Sequence, residues 1–178
     1  MKATLRIPAP ETECGYKEIE VDIIEEELAR LAEPQKTSKL TGYERAKKDD
    51  VYYYVNARGE THRVREICDE FDNNCYDAAS YYSFEVVAEN NARADKLMRQ
   101  LRRFAVEHRE SDIDWNNFNQ EKWFFDYDYK NVELTIESCC WLRDLGSICF
   151  DSYKTAQDAL NAFHDELIWY FTKYKDSL

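Results

Sequence analysis

The chain of 178 residues is long enough for one domain with a small appendage, and at 44% hydrophobic content it can bury a core. Its net charge of −12, from 36 acidic and 24 basic residues, disfavours direct binding to nucleic acid phosphates or anionic membranes. Four glycines and three prolines exclude a collagen-like or low-complexity chain, and no apolar run has the length of a signal peptide or membrane span. We therefore expect a compact cytoplasmic protein.

The N-terminal part predicts a small appendage made of a hairpin and a helix. Residues 2–7 and 16–23 alternate apolar and polar side chains, as paired strands do. From Asp22 the apolar residues recur at helical spacing, and Pro34 ends the run. This helix is acidic, and its charges suit either a solvated face or a partner. Its candidate partner-binding residues are Glu25, Glu26 and Glu27.

A polar and locally basic stretch over residues 35–50 has the composition of a connection. It separates the two parts of the chain. We therefore predict an appendage over residues 1–41 and a main α+β domain over residues 42–178.

The first half of the main domain predicts three strands and an acidic loop. Residues 51–55 and a second alternation ending at Val64 predict a hairpin, because Asn56 and Gly59 between them suit a turn with positive φ. A short third strand is predicted at 81–82. The segment between, residues 66–77, predicts an irregular and exposed loop. Its candidate partner-binding residues are Glu66, Asp69, Glu70, Asp72 and Asp77.

Residues 86–108 predict the longest helix, with Leu97 and Leu101 in its apolar stripe. The basic side chains outside this stripe are Arg93, Lys96, Arg99, Arg102 and Arg103. Ion pairs with acidic neighbours account for such a face, and contact with a phosphate backbone or an acidic partner is the alternative. Beyond the helix, Glu110 and Asp112 join the candidate partner-binding carboxylates.

The second half predicts another hairpin and two helical segments. Residues 122–136 read as two strands with Lys130 and Asn131 as a two-residue turn. Residues 138–150 predict one more strand, bent at Gly146. A helix capped by Ser152 and a last helical segment over 165–175 follow.

A short pattern occurs twice in the chain. Tyr82-x-Phe84-x-x-x-Ala88 recurs as Phe150-x-Ser152-x-x-x-Ala156, and each copy joins a strand end to the start of a helix. We therefore predict two similar ββ(β)α units, over 51–108 and 122–178. Together they would form an α+β fold, an antiparallel sheet with helices on one face.

The residues predict no catalytic centre. The four glycines form no phosphate-binding loop, and the three histidines lack the surroundings of a nucleophile and base. Asp126 and Asp128 share a strand face, which suits a divalent cation, an acid and base pair or an ordinary half-exposed strand. A zinc site from His62, Cys68 and Cys75 would depart from the usual ligand spacing. We predict no enzyme activity, no cofactor and no metal.

Several short segments, in their order along the chain, resemble one family of small proteins. They are Gly42-Tyr-Glu-Arg, Tyr52-Tyr-Tyr-Val-Asn-Ala-Arg-Gly-Glu, Leu101-Arg-Arg-Phe-Ala-Val-Glu-His, Ile113-Asp-Trp-Asn-Asn, Asn119-Gln-Glu-Lys-Trp and Ile148-Cys-Phe-Asp-Ser. The family comprises accessory proteins encoded by phages, prophages and other mobile elements of Gram-positive bacteria. The resemblance covers most of residues 42–172 and implies no catalytic residue. It implies an accessory task, which for small acidic proteins of this setting often means countering host defence, including as anti-CRISPR inhibitors.

Charge and resemblance together suggest the expected function. We expect a non-enzymatic protein of the bacterial cytoplasm that inhibits a host defence nuclease, such as a CRISPR effector complex. Its acidic residues would cover a nucleic-acid-binding surface as a DNA mimic does. The alternative is a phage nucleic-acid-binding module that uses the basic face of residues 93–103. A metal-dependent enzyme built on Asp126 and Asp128 is a third hypothesis.

Overall fold

A computed structural model describes residues 2–8, 16–22, 40–141, 143 and 146–176. The chain divides into two compact units, Met1–Lys39 and Leu40–Leu178.

The Met1–Lys39 unit contains the predicted hairpin. Strands β1 (Lys2–Pro8) and β2 (Tyr16–Asp22) pair antiparallel, with Lys2 opposite Asp22. The alternation of apolar and polar residues thus gave the correct pairing of the two strands. The predicted acidic helix, with Glu25, Glu26 and Glu27, lies outside the described residues.

The Leu40–Leu178 unit has an α+β architecture. Its described residues form two antiparallel ladders, and no strand pair joins one ladder to the other. In chain order its elements are β3 (Val51–Val55), β4 (Thr61–Arg65), α1 (Glu70–Asp77), β5 (Tyr81–Tyr82), α2 (Glu85–Glu107), β6 (Lys122–Asp128), β7 (Glu133–Cys139) and α3 (Tyr153–Thr172).

The first ladder has the order β4-β3-β5, and the two faces of β3 contact different helices. Tyr52 packs with Cys75 of α1, whereas Tyr53 packs with Val87 and Ala88 of α2. Successive side chains of a strand point to opposite faces, so α1 and α2 lie on opposite sides of this ladder. The prediction placed helices on one face of the sheet only. In the structure the short helix α1 packs on the other face of this ladder as well.

Helix α1 forms where the acidic composition predicted an irregular loop, and that prediction is wrong. Asp69 caps the helix, because its carboxylate accepts the N–H of Asp72 at 2.9 Å while the carboxylate of Asp72 accepts the N–H of Asp69 at 3.4 Å. This reciprocal capping satisfies amide groups that a helix start leaves unpaired. Acidic side chains in the first turn, including Glu70, also interact favourably with the helix dipole.

The second ladder pairs β6 with β7, as predicted, but through a longer loop. Asp128 pairs with Glu133, so residues 129–132 form a four-residue connection and the predicted two-residue turn is wrong. The carboxylate of Asp128 accepts the backbone N–H groups of Lys130 at 2.8 Å and Asn131 at 3.1 Å. An aspartate that bonds to the backbone beyond it stabilises this wider loop.

The same loop holds Val132 in a left-handed conformation, with φ 59°, and leaves its side chain 72% exposed. A β-branched residue is strained there by about 1–2 kcal/mol, whereas glycine is not. We expect Val132→Gly to raise the free energy of unfolding by about 0.5–1 kcal/mol in urea denaturation, after the entropy cost of the new glycine. The control is Val106→Gly at an exposed position of α2, which should lower the free energy of unfolding by about 0.3–0.5 kcal/mol. A loss of stability in Val132→Gly would contradict the strain.

In the described part of the chain, the predicted strand over 138–150 pairs only at its two ends, where Ser138 and Cys139 belong to β7 and Phe150 forms a separate bridge. β7 ends at Cys139, and Phe150 forms an isolated antiparallel bridge with Trp123. The two residues exchange N–H···O bonds of 2.7 and 3.0 Å. Gly146, with φ 90°, turns the chain away from an extended path before the bridge.

The repeated sequence pattern corresponds to a repeated arrangement of elements. Phe84 and Ser152 are the N-cap residues of α2 and α3, and the alanines four positions later are fully buried in both helices. Phe150 pairs with the first strand of its unit, as Tyr82 pairs with Tyr53. The two predicted helical segments meet within α3 at a kink at Phe163, whose backbone is not helical.

Within the Leu40–Leu178 unit, helix α2 contributes to the cores of both ββ(β)α units. Its first turn packs on the β4-β3-β5 ladder, and its middle, with Leu97 and Leu101, packs against Phe150 and Leu167. The apolar stripe predicted for this helix is therefore confirmed at these positions. Helix α2 thus joins the core next to the β4-β3-β5 ladder to the core that contains Phe150 and Leu167.

Candidate protein-binding surface

Two of the candidate acidic residues are buried rather than exposed. Glu66 and Asp72 have no more than 1% of their surface exposed. The carboxylate of Glu66 accepts hydrogen bonds from Tyr81 Oη at 2.7 Å, Arg45 Nε at 3.3 Å and the backbone N–H of Cys68 at 2.9 Å. The expectation that Glu66 lies on an exposed acidic surface is therefore wrong, because its carboxylate is used inside the fold.

Asp72 is held in the same interior. Its carboxylate accepts hydrogen bonds from Tyr52 Oη at 2.6 Å and from the backbone N–H of Ile67 at 2.8 Å. The Tyr52 and Tyr81 rings stack with centroids 3.9 Å apart, so the two carboxylates and their phenol donors form one buried network. Asp72, like Glu66, is thus removed from the exposed candidate set.

The pKa values of this network follow from burial and hydrogen bonding. Burial favours the neutral form of the Glu66 and Asp72 carboxyls, but the donors around them outweigh it and hold both pKa values below the ordinary range. Burial, and then the hydrogen bond to a carboxylate, raises the pKa of Tyr52 and of Tyr81. Both phenols therefore remain protonated and keep donating at neutral pH.

Sequence reasoning missed this network although two signals were present. Asp69 and Asp72 have the spacing of a capping box, and Cys75 follows one helical turn after Asp72. These positions predict a helix whose inner face carries Asp72. The role of Arg45 and Tyr81 as donors had no signal, since both lie far from Glu66 along the chain.

The outward side of α1 carries carboxylates flanked by aromatic rings. We call these exposed residues the α1 face: Asp69, Glu70, Phe71, Tyr76 and Asp77. Glu70 and Asp77 are two turns apart and point away from the buried Asp72 and Cys75. Phe71 and Tyr76 lie on the two flanks of this ridge and are 45% and 42% exposed. Three of the predicted partner-binding carboxylates therefore share one rigid element.

The rings of the α1 face belong to a larger aromatic surface. Phe71 packs edge-on against Tyr54 with centroids 5.1 Å apart, and Tyr54 stacks on His62 at 5.2 Å. Ile67, whose backbone N–H binds Asp72 of α1, is also more than half exposed. On the other flank, the guanidinium of Arg45 lies over the Tyr76 ring at 5.4 Å. Exposed apolar side chains grouped in this way are typical of interaction sites.

Glu110 and Asp112 lie elsewhere, beyond the end of α2. Both are exposed, and Asp112 forms an ion pair with Arg109 at 2.9 Å. Within the described residues neither makes a hydrogen bond or ion pair with the α1 face. The structure therefore places the candidate carboxylates in at least two surfaces.

The basic face of α2 is only partly available. Arg93 donates two hydrogen bonds to Glu166, at 2.8 and 2.9 Å, and its guanidinium lies 4.0 Å from the Trp169 ring centroid. Arg103 is 3.8 Å from Glu107. The remaining members of the face are exposed and form no ion pair with the described part of the chain: Lys96, Arg99 and Arg102.

The residues considered for metal binding are not grouped. Asp126 is exposed, and the Asp128 carboxylate bonds to its own loop. His62 Nε2 lies 2.8 Å from Asn56 Nδ2. Over residues 40–141, 143 and 146–176, no three histidine, cysteine, aspartate or glutamate side chains are placed to hold a metal ion.

None of the helices in the described residues is long and apolar enough to cross a membrane. Comparisons of the chain with protein-family models, with curated proteins and with solved structures each find no match. The resemblance of residues 42–172 to mobile-element accessory proteins therefore stays a prediction.

Proposed function

We propose that this protein is a non-enzymatic inhibitor that binds a partner through its α1 face and covers a basic, nucleic-acid-binding surface of that partner. The partner class that fits the family resemblance is a host defence nuclease such as a CRISPR effector complex. The observation that carries this proposal is the row of exposed carboxylates and aromatic rings on one short helix.

The chemistry of the α1 face matches a basic groove. The ridge carboxylates Glu70 and Asp77 are separated by about 10 Å along the helix axis, at a rise of about 1.5 Å per residue. They would pair with lysine and arginine side chains that otherwise hold phosphates. Phe71 and Tyr76 would add apolar area and ring faces for arginine side chains. The net charge of −12 would speed the approach to a basic surface.

The buried network below the helix favours this use. The Glu66 and Asp72 carboxylates tie α1 to Arg45, Tyr52 and Tyr81, so the helix keeps its place without a partner. A surface that is already ordered loses less conformational entropy on binding than a mobile loop does. The two buried carboxylates thus hold in place the helix that presents the three exposed carboxylates.

The experiment is capture of partners from a bacterial host lysate, followed by inhibition assays with the purified nuclease. We expect the double charge reversal Glu70→Lys/Asp77→Lys to weaken binding by at least about tenfold, that is about 1.4 kcal/mol. The matched control, Glu133→Lys/Glu137→Lys on β7, changes the net charge equally and should stay within about twofold.

Two outcomes would overturn the proposal. One is inhibition that survives reversal of the α1 carboxylates while the reversed protein remains folded. The other is a captured partner that has no basic nucleic-acid-binding surface. Affinity should also fall with added salt, because the contacts are between opposite charges.

A second candidate function has one observation in its favour. Lys96, Arg99 and Arg102 are exposed and lack ion pairs within the described residues, so they are available to phosphates. Binding of duplex DNA at low salt that is lost in Arg99→Glu/Arg102→Glu would support a nucleic-acid-binding module. Undetectable DNA binding at low salt would remove it.

A further inference from the structure

A second acidic and aromatic site lies where α3 begins. An open cleft of about 600 Å³ runs between residues 111–121, Trp123 and the first residues of α3. We call it the α3 cleft. The lining residues on which the argument depends are Phe118, Glu121, Trp123, Asp151 and Tyr153.

The charged side chains that line the α3 cleft are carboxylates. The ammonium group of Lys122 lies nearby, but it is buried and held by the carbonyl groups of Asn117 at 2.7 Å and Cys140 at 3.0 Å. The Oδ2 atom of Asp151 accepts the backbone N–H groups of Glu110 at 2.7 Å and Ser111 at 3.0 Å, whereas its Oδ1 atom is buried without a hydrogen-bond partner. Glu121 is exposed at the rim. In the described part of the chain neither carboxylate forms an ion pair, and no lysine or arginine lines the cleft. Because the Oδ1 atom of Asp151 is shielded from water, its charge is screened less than that of a fully exposed carboxylate.

The aromatic lining adds a second preference. Phe118 is 66% and Tyr153 is 51% exposed, which is unusual for rings that line a concave surface. Trp123 and Tyr153 pack edge to face with centroids 5.3 Å apart, so they form one wall. Rings beside carboxylates attract cations, and a planar guanidinium both stacks on a ring and pairs with a carboxylate.

We propose that the α3 cleft binds the guanidinium of an arginine side chain presented by a partner protein. The planar cation would stack on the exposed ring of Tyr153 or Phe118 and pair with Glu121, while the charge of Asp151 favours it from behind. A lysine ammonium would gain the charge but not the planar stacking. This inference rests on the proposed function, because the partner would be the same basic protein that the α1 face contacts.

The test uses a small probe, so that it does not depend on the identity of the partner. The ¹⁵N-labelled protein is titrated with N-acetyl-arginine amide at physiological salt and followed by NMR chemical shifts. We expect weak binding, with a Kd of about 1–10 mM, and shifts at Ser111, Glu121, the Trp123 indole and Tyr153. The neutral isostere N-acetyl-citrulline amide should cause no saturable shifts, and the lysine analogue should bind at least about threefold more weakly.

Two variants distinguish arginine binding in the cleft from a general attraction to the negative charge of the protein. Glu121→Gln/Phe118→Ala should weaken arginine binding at least about fivefold, and both side chains are exposed enough for the fold to survive. Asp165→Asn removes an exposed carboxylate of α3 that does not line the cleft and should leave binding unchanged. Asp151 is left intact because it accepts two backbone N–H groups.

Equal shifts with citrulline, or no saturable shift at the cleft, would overturn the proposal. Such a result leaves partner binding through the α1 face untouched, because that is measured with the Glu70→Lys/Asp77→Lys variant. Conversely, arginine could bind in the cleft while the Glu70→Lys/Asp77→Lys variant still captures the partner. That result would reject only the proposed role of the α1 face.

Discussion

Replacement of Glu66 by alanine should lower the free energy of unfolding by about 3–5 kcal/mol, because it removes a fully buried carboxylate that accepts hydrogen bonds from three groups. Arg45, the Tyr81 hydroxyl and the N–H of Cys68 all lose their acceptor, and the Tyr81 hydroxyl is buried, where water does not replace that acceptor. Urea denaturation at neutral pH measures this loss. The matched control is Glu137→Ala on β7, an exposed carboxylate, which should change stability by less than about 0.5 kcal/mol.

The pH dependence distinguishes lost charge from lost packing. Because donors hold the pKa of Glu66 and of Asp72 below the ordinary range, their stabilising contribution is complete above the unfolded pKa of each group. It is lost as the pH falls through the folded pKa values, so the stability of the native protein should decline below about pH 5. Glu66→Gln should show a shallower decline. An unchanged acid profile in Glu66→Gln would contradict the assignment of that charge.

Glu66→Ala should also weaken partner binding, although Glu66 is not part of the α1 face. Ile67 and α1 are attached to the core through Asp72, which shares the buried network with Glu66. When that network breaks, the α1 face is no longer held in place before binding. We therefore expect Glu66→Ala to weaken partner binding even though Glu66 itself cannot touch a partner.

The sequence predicted the elements of this fold well wherever the pattern is local. Alternation, helical spacing and turn residues are each visible over a few positions. They predicted the hairpins β1–β2, β3–β4 and β6–β7, the long helix α2 and the cap of α3 at Ser152. The correspondence of Tyr82-x-Phe84-x-x-x-Ala88 with the segment from Phe150 also anticipated how the two units are built.

The sequence could not predict which carboxylates are exposed. Glu66, Asp69, Glu70, Asp72 and Asp77 are equivalent by composition, and their separation into buried and exposed groups depends on donors brought from elsewhere in the chain. Arg45 and Tyr81 are distant in sequence from both buried carboxylates. The paired Arg93 is a similar case, because its partner Glu166 belongs to another helix. Such pairings are tertiary contacts, and local patterns do not encode them.

The α3 cleft was also beyond sequence reasoning. Glu110 was predicted as an acidic surface residue, but the role of its backbone N–H as a donor to Asp151 depends on α3 lying against the segment after α2. Phe118 and Tyr153 are far apart in sequence, and neither stood out as part of a site. What brings them together is the bridge between Trp123 and Phe150, which fixes the start of α3 beside β6.

Phe150→Ala should therefore be the second strongly destabilising substitution, with a loss of about 3–5 kcal/mol. Phe150 is fully buried and its ring lies 5.1 Å from that of Phe125, in the core formed by α2, α3 and β6. Alanine keeps both main-chain hydrogen bonds to Trp123, so the loss measures side-chain packing and the cavity left behind. Urea denaturation gives the value, and Phe118→Ala, which truncates an exposed ring, should cost less than about 0.5 kcal/mol.

Phe150→Ala should also disturb the α3 cleft. Asp151 and Ser152 follow Phe150 directly, so loss of the packing of its side chain should shift the start of α3 and the carboxylate that lines the cleft. Phe150→Leu refills most of the volume and should cost only about 1–2 kcal/mol while retaining arginine binding. Phe150→Ala should lose that binding even under conditions where it remains folded. Retention of arginine binding in folded Phe150→Ala would show that the side chain of Phe150 is not needed to hold the cleft.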